Sequence, residues 1–257
     1  MPRKPTLSPT RIATYLECAM KYRYIYFDKI GRFYLKARPG YSFGSTLHQV
    51  LQSFHDEGGV QSKEQMVEQV EHKWISAGYE TSEQEQEYRA AGAEIVQAYH
   101  AAATERIEQQ VETLFTEKTI STDMGPFKLT GRVDRIDRHA DGTWEIIDYK
   151  SGRMDVSSEE VAENLAMNIY QLILRRTYPG DRVISTIYAL RSGRQASAEM
   201  SAEETARFAE DMLTLGEEII NRDYENVEPV RVPACPYCEF LPRCERFWRM
   251  QEARENW

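Results

Sequence analysis

The sequence predicts an α/β protein, a mixed sheet flanked by helices that carries an acidic all-helical insertion at 56–112. Three observations predict it. Apolar residues recur at helical spacing over the first hundred residues, then alternate in strand fashion from about residue 114, then return to a helix–strand–helix order. A two-residue turn, Asp141-Gly142, separates two strand-like runs, the strongest local hairpin signal in the chain. Charge is segregated: 13 acidic and 4 basic side chains fall within 56–112, against 9 basic and 2 acidic within 1–54.

The elements follow in order. Ser8-Pro9 reads as an N-cap with proline in the first turn, and Ile12, Tyr15, Leu16, Ala19 and Met20 continue the helix. Residues 40–44 read as a loop, and Ser45 opens a second helix whose stripe is Leu47, Val50, Leu51 and Phe54. The Glu-, Gln- and Ala-rich stretch from 62 to 112 reads as two or three helices broken near Gly78, by default a solvated lid, with a partner surface or a DNA mimic shielding the site as the alternatives. Strands are expected over 114–121, 127–138 and 144–150, a helix over 159–176, a strand over 182–190 and a short one through Ser197. Ser201 and Glu204 have capping-box spacing for a helix to about Asn221, and a short aromatic, charged helix closes a proline- and cysteine-rich end. The chain, 1–257, is read as one domain, with 229–257 as a cysteine segment joined to Cys18.

With 257 residues, 41% of them apolar, the chain can bury a full core. No apolar run is long enough to span a membrane, and the opening MPRKPTLSPTRIATYLEC has no apolar signal region, so a cytoplasmic protein is expected. Four cysteines are too few for a disulfide scaffold, and their bunching points to a metal or cluster site in a reducing compartment. A net charge of −9 does not exclude a nucleic-acid partner when the N-terminal stretch is basic.

Chemistry concentrates on Gly131-Arg132-Val133-Asp134-Arg135-Ile136-Asp137 and Glu145-Ile146-Ile147-Asp148-Tyr149-Lys150. In a strand Asp148 and Lys150 project on one side, behind the apolar Trp144 and Ile146. A carboxylate and an ammonium at the end of an apolar surface need a partner, and a divalent cation supplies one, with Asp134 across the hairpin as a second carboxylate. An ordinary hairpin with cross-strand ion pairs fits the same residues. His48 stands one position off its helix stripe, as a core histidine or as a ligand should its helix meet the hairpin; His55 reads as structural. Cys235, Cys238 and Cys244 cluster near the end, with Cys18 far away, and four thiolates suit a zinc or an iron–sulfur cluster. The run 21–27, with Lys21 and Arg23 among aromatics, suits base stacking and phosphate contact, or a helix whose tyrosines pack on the sheet. Arg175, Arg176, Arg191 and Arg194 are further phosphate-contact candidates.

Together these features resemble a RecB-family nuclease of the PD-(D/E)XK superfamily, in the branch with a four-cysteine iron–sulfur cluster that includes AddB-type and CRISPR-adaptation nucleases. The resemblance runs from Ser8 and Tyr15-Leu16-x-Cys18 through Gly44-x-x-x-His48, GRVDRID and EIIDYKSG to the C-terminal cysteines, and the acidic insertion has no counterpart. It implies a restriction-endonuclease-like core in which His48, Asp134 and Asp148 bind Mg²⁺ or Mn²⁺, assisted by the Tyr149 carbonyl, and Lys150 orients or activates the attacking water. It implies a [4Fe–4S] cluster on Cys18, Cys235, Cys238 and Cys244, with zinc as the alternative occupant. The family's Gln-x-x-x-Tyr helix is altered: Tyr170 matches the tyrosine, Ala166 replaces the glutamine, and Gln171 follows. Glu117 is a candidate supporting carboxylate, and Tyr170 and Gln171 candidates for support or DNA contact.

The expected function is a metal-dependent deoxyribonuclease, exonucleolytic or end-processing, with single-stranded ends favoured. It would serve recombination or repair, phage DNA processing or CRISPR adaptation. No G-x-x-x-x-G-K-[ST] occurs, so any helicase, like any CRISPR integrase, would be a separate partner. The alternative is a catalytically silent iron–sulfur or zinc module for nucleic-acid binding or assembly.

Overall fold

A computed structural model describes residues 4–152 and 154–255; residues 1–3, 153, 256 and 257 of the 1–257 reading lie outside the described residues. A short β1 (Thr6–Leu7) leads into α1 (Pro9–Glu17), capped by the Ser8 hydroxyl as the sequence predicts. Next come α2 (Ala19–Tyr22), a π-helical turn at Arg23–Phe27, and α3 (Pro39–Asp56). α4 (Lys63–His72) and α5 (Ser82–Glu108) precede the meander β2 (Glu112–Asp123), β3 (Lys128–Arg138) and β4 (Trp144–Lys150). α6 (Ser158–Ala162) and α7 (Leu165–Thr177) cross over to β5 (Val183–Ala189), and β6 (Arg194–Ala198) turns back. α8 (Ala202–Asn221) starts on the expected Ser201–Glu204 capping box, and α9 (Leu241–Glu255) follows the cysteine segment.

Two expectations are corrected here. α3 begins at Pro39, since proline is well placed in a first turn, so residues 40–44 are helical rather than a loop. The single helix expected over 159–176 is two, because the Asn164 side chain caps a fresh start by accepting from the Ala166 and Met167 amides.

The sheet is mixed: β4 and β5 are parallel, while β2–β3, β3–β4 and β5–β6 are antiparallel. β2 pairs along one edge of β3. The other edge is shared, with β1 opposite 128–129 and β4 opposite 135–138. Between them, residues 130–134 have no strand partner on that edge among the described residues. The strands fork there.

Each face of the sheet carries its own core. α1, α7 and α8 bury Ile12, Ile169, Ile173 and Ile219 against Val133, Ile146 and Ile187. α3 to α5 cover Ile147, Tyr149 and Tyr188 on the other face. The acidic insertion therefore departs from a solvated lid. Met66, Val70, Ile95, Val96 and Tyr99 are buried against Phe43, Leu47 and Phe54, so its carboxylates sit outward of an apolar stripe that completes the core.

Beneath α5 lies a buried charge network. Arg135 donates to Asp137 at 2.7 Å, Arg106 pairs with Asp137 at 3.0 Å and with Glu145, and Thr186 donates to Glu145 at 2.5 Å. Burial pushes the Glu145 carboxyl up, but Arg106 and the donors around it hold it below the usual carboxylate range. Two arginines balance two carboxylates, so removing one partner strands a buried charge. Glu145→Ala is expected to lower stability by about 3–5 kcal/mol in urea unfolding, with little change in secondary structure.

Candidate active site

The fork lines up three carboxylates on neighbouring strands. Thr116 pairs with Arg135 and Lys118 with Val133, so Glu117 stands beside Asp134. One step beyond the last β3–β4 pair, Arg135 with Ile147, Asp134 comes level with Asp148. The missing ladder bond is replaced by a side chain, since the Tyr149 amide donates to Asp134 Oδ2 at 2.7 Å. Glu117 adopts a left-handed backbone, φ 45°, a strained state of the kind that persists where surrounding contacts impose it. Like charges in a row repel unless something positive lies among them.

His48 supplies a nitrogen from α3. Its Nε2 lies 3.2 Å from the Tyr149 carbonyl, and its Nδ1 lies 3.3 Å from Asp134 Oδ1 and 3.6 Å from Glu117 Oε1. A turn earlier, Gly44 lets the helix approach closely, for a Cβ there would sit 2.9 Å from Ser151 Oγ. Donation from Nε2 to the carbonyl leaves Nδ1 facing two carboxylates. Burial lowers the His48 pKa, but Asp134 and Glu117 outweigh it and raise it to about 10. Without a metal, then, an imidazolium bridges the acids.

One ligand atom each from His48, Glu117 and Asp134 lies within 4.8 Å of the others, a potential divalent-metal site. The donor set, imidazole with hard oxygens, fits such an ion. Asp148 is beside this trio, not within it. Its Oδ2 is 2.5 Å from Lys150 Nζ, an ion pair that holds this buried oxygen. Burial, and after it the Asp134 carboxylate, push the Asp148 carboxyl up despite Lys150. Relative to the sequence reading, Glu117 moves from support to the trio, and the Tyr149 carbonyl receives His48.

The site opens into a cavity of about 1230 Å³ whose walls include Lys150, Arg132, Arg191, Tyr41 and Tyr88. Arg132 Nε lies 2.6 Å from Glu117 Oε2, and Arg191 stacks over Phe43 at 5.3 Å. Arg132 and Tyr41 were not singled out from sequence; alternation with Asp134 along the strand was the only cue to the arginine.

Of the other candidates, Tyr170 lies beside the acidic row and the rest lie apart from it. Tyr170 donates to the Arg132 carbonyl at 3.0 Å, filling the unpaired edge of β3, and Gly131 makes room for its ring. Gln171 is fully buried, donating to Ser185 and accepting from the Met200 amide, so it braces β5 and cannot touch DNA. Lys21 pairs with Glu17 at 2.9 Å, and Arg23 donates to the Glu225 and Val227 carbonyls. The aromatics between them pack inward: Tyr22 stacks on Tyr224 and Tyr24 meets Phe240. Tyr22 and Tyr24 are therefore taken up by packing, while Phe27 stays about half exposed. Arg175, Arg176 and Arg194 hold Glu199, the Asp123 carbonyl and Asp155 respectively. Cys18, Cys235, Cys238 and Cys244 are free thiols lining one small pocket where the two ends of the chain meet.

The PD-(D/E)XK nuclease superfamily profile matches residues 6–245, and the chain belongs to that superfamily. No curated protein matches the sequence. Among solved structures, a "putative exonuclease" from Eubacterium rectale aligns over 94% of this chain and 87% of its own, at 14% identity and a TM-score of 0.52, a likeness of fold. The structure of SSO0001 aligns over 93% of this chain and 85% of its own, at 12% identity and a TM-score of 0.36, and adds nothing to the fold assignment.

Because His48 is protonated below about 10, an ion that takes Nδ1 must displace that proton. Affinity for Mn²⁺, measured by calorimetry, is expected to rise with pH between 6 and 9, by up to about tenfold per unit, with about one proton released per ion bound.

Proposed function

We propose that the protein is a Mg²⁺- or Mn²⁺-dependent deoxyribonuclease that hydrolyses phosphodiester bonds at DNA ends, single strands favoured. The observation that carries the reading is the row Glu117–Asp134–Asp148 beside Lys150, under His48, with Glu117, Lys150 and His48 opening into an arginine-bearing cavity. His48, Glu117 and Asp134 would hold the ion, with Asp148 adjacent; when bound, it polarises a phosphoryl oxygen and neutralises the charge that grows there. Asp148 holds Lys150 in place. The Lys150 ammonium, 40% exposed on the cavity wall, orients a water toward phosphorus and offsets developing negative charge. Arg132 and Arg191 give the wall its phosphate-binding charge. Tyr41, 70% exposed at the cavity, offers a face to an unstacked base, which supports a single-stranded substrate.

The four cysteines we assign to a [4Fe–4S] cluster, with zinc as the alternative. One feature supports a shared site: all four thiols line one pocket. Burial, with the neighbouring thiols, pushes the Cys238 and Cys244 thiols up. Such an enzyme would serve recombination or repair, phage DNA processing or CRISPR adaptation, beside a separate helicase or integrase.

Wild type with Mn²⁺ is expected to cut end-labelled single-stranded DNA faster than duplex, and Lys150→Ala to lose about 10²-fold or more in rate. No cutting by protein shown to carry its cluster would favour the silent nucleic-acid-binding module instead. Anaerobically purified protein should contain about four irons per chain, and Cys244→Ser should lose them; one zinc per chain would overturn the cluster assignment.

A further inference from the structure

The Tyr149 backbone is the hinge pin of the site. Its amide donates to Asp134 and its carbonyl receives His48, so two of the three candidate ligands take their position from one peptide segment. The side chain of Tyr149 points away from Asp148 and Lys150, into the core beneath α3 to α5, where it is almost fully buried. There its hydroxyl lies 2.6 Å from the hydroxyl of Tyr99 on α5 and 3.0 Å from Arg135 Nη1. The same Arg135 nitrogen reaches the Tyr99 hydroxyl at 2.5 Å and His55 Nε2 at 2.6 Å, and Nη2 holds Asp137 at 2.7 Å. The rings of Tyr99 and Tyr149 meet edge to face, 5.7 Å between centroids.

A buried tyrosine needs its hydroxyl bonded, and here every partner is itself fixed. Arg135, the residue after Asp134, is held by Asp137. Tyr99 sits in the buried middle of α5, with Gly92, Ile95, Val96 and Ala103. Tyr149 consequently has one place to stand, and its peptide groups inherit that precision.

We infer that Tyr99, together with Arg135, is a positioning residue for the metal centre: by fixing the Tyr149 hydroxyl it holds the amide and carbonyl that set Asp134 and His48. The inference rests on the reading of His48, Glu117 and Asp134 as ion ligands, and it gives the acidic insertion a task. A segment without a counterpart in the family resemblance becomes the back wall of the site, reaching it through the sheet.

The test is Tyr99→Phe in the full chain, which removes one hydroxyl and keeps the ring, beside Val96→Ala, a core truncation one turn earlier on the same helix. Two quantities are read: hydrogen exchange of the Tyr149 amide in metal-free protein by NMR, and the Mn²⁺ Kd by calorimetry. Tyr99→Phe is expected to speed exchange at Tyr149 and weaken Mn²⁺ about 10-fold, the scale of losing an outer partner of a metal ligand. Val96→Ala should lower the Tm at least as much while leaving both quantities at the wild-type value. Wild-type exchange and affinity in Tyr99→Phe, or equal losses in Val96→Ala, would overturn the inference. If wild type binds no Mn²⁺ yet Tyr99→Phe still frees the Tyr149 amide, the positioning stands and the ion-ligand reading falls.

Discussion

The site depends on a ladder that stops. Had β3 and β4 stayed paired beyond Arg135 and Ile147, the Tyr149 amide would face a backbone carbonyl and Asp134 would be one more acidic side chain on a sheet. Because the strands part, a carboxylate takes the place of a carbonyl and is drawn into the gap. Everything nearby answers that opening. Tyr170 plugs the bare edge of β3, Glu117 twists out of ordinary strand geometry, and α3 presses in close enough for His48 to reach the gap. The cost of parting is met locally: the polar backbone groups exposed by the fork are bonded by Asp134, Tyr170 and His48.

The two faces of the sheet answer different demands. The face under α1, α7 and α8 is conventional aliphatic packing. The face under α3 to α5 mixes aliphatic packing with arginines, carboxylates and tyrosines that pair with one another, leaving the Nε of Arg106 and of Arg135 without a hydrogen-bond partner among the described residues. His55 shows the balance: burial and the nearby Arg135 and Arg106 push its pKa down to about 2, so it stays a neutral acceptor inside a network already holding two cations. A protonated His55 there would tip the count of charges.

What was legible in the sequence had a short period. Asp148 and Lys150 share a side because strands alternate, and Asp134 follows from a two-residue turn; both readings need only local rules. His48 was ambiguous, because whether a helix meets a hairpin 86 residues on is decided by Gly44 and Ser151 fitting together, which no window of sequence contains. Glu117 was undervalued, since nothing in its neighbours announces a left-handed backbone. Arg135, Asp137 and Glu145 were passed over as ordinary strand charges, for only α5 lying over them makes them interior. The Lys21–Phe27 run shows the converse. Basic and aromatic residues interleaved are the composition of a stacking platform and equally of a clamp on Tyr224 and Phe240, and the partners stand some two hundred positions away.

That last distance has a consequence for how the molecule is made. Tyr15 donates to Glu218, 203 residues later, and receives Arg222, 207 residues later, while Arg23 grips carbonyls at 225 and 227. The helical layer of α3 to α5 and the hairpin it covers are complete by residue 150, so the candidate ligands His48, Glu117 and Asp134 all precede β5, the strand that pairs with β4. The opening helix has no such luck. Its Ile12 and Tyr15 pack fully only once α8, some two hundred positions later, is in place.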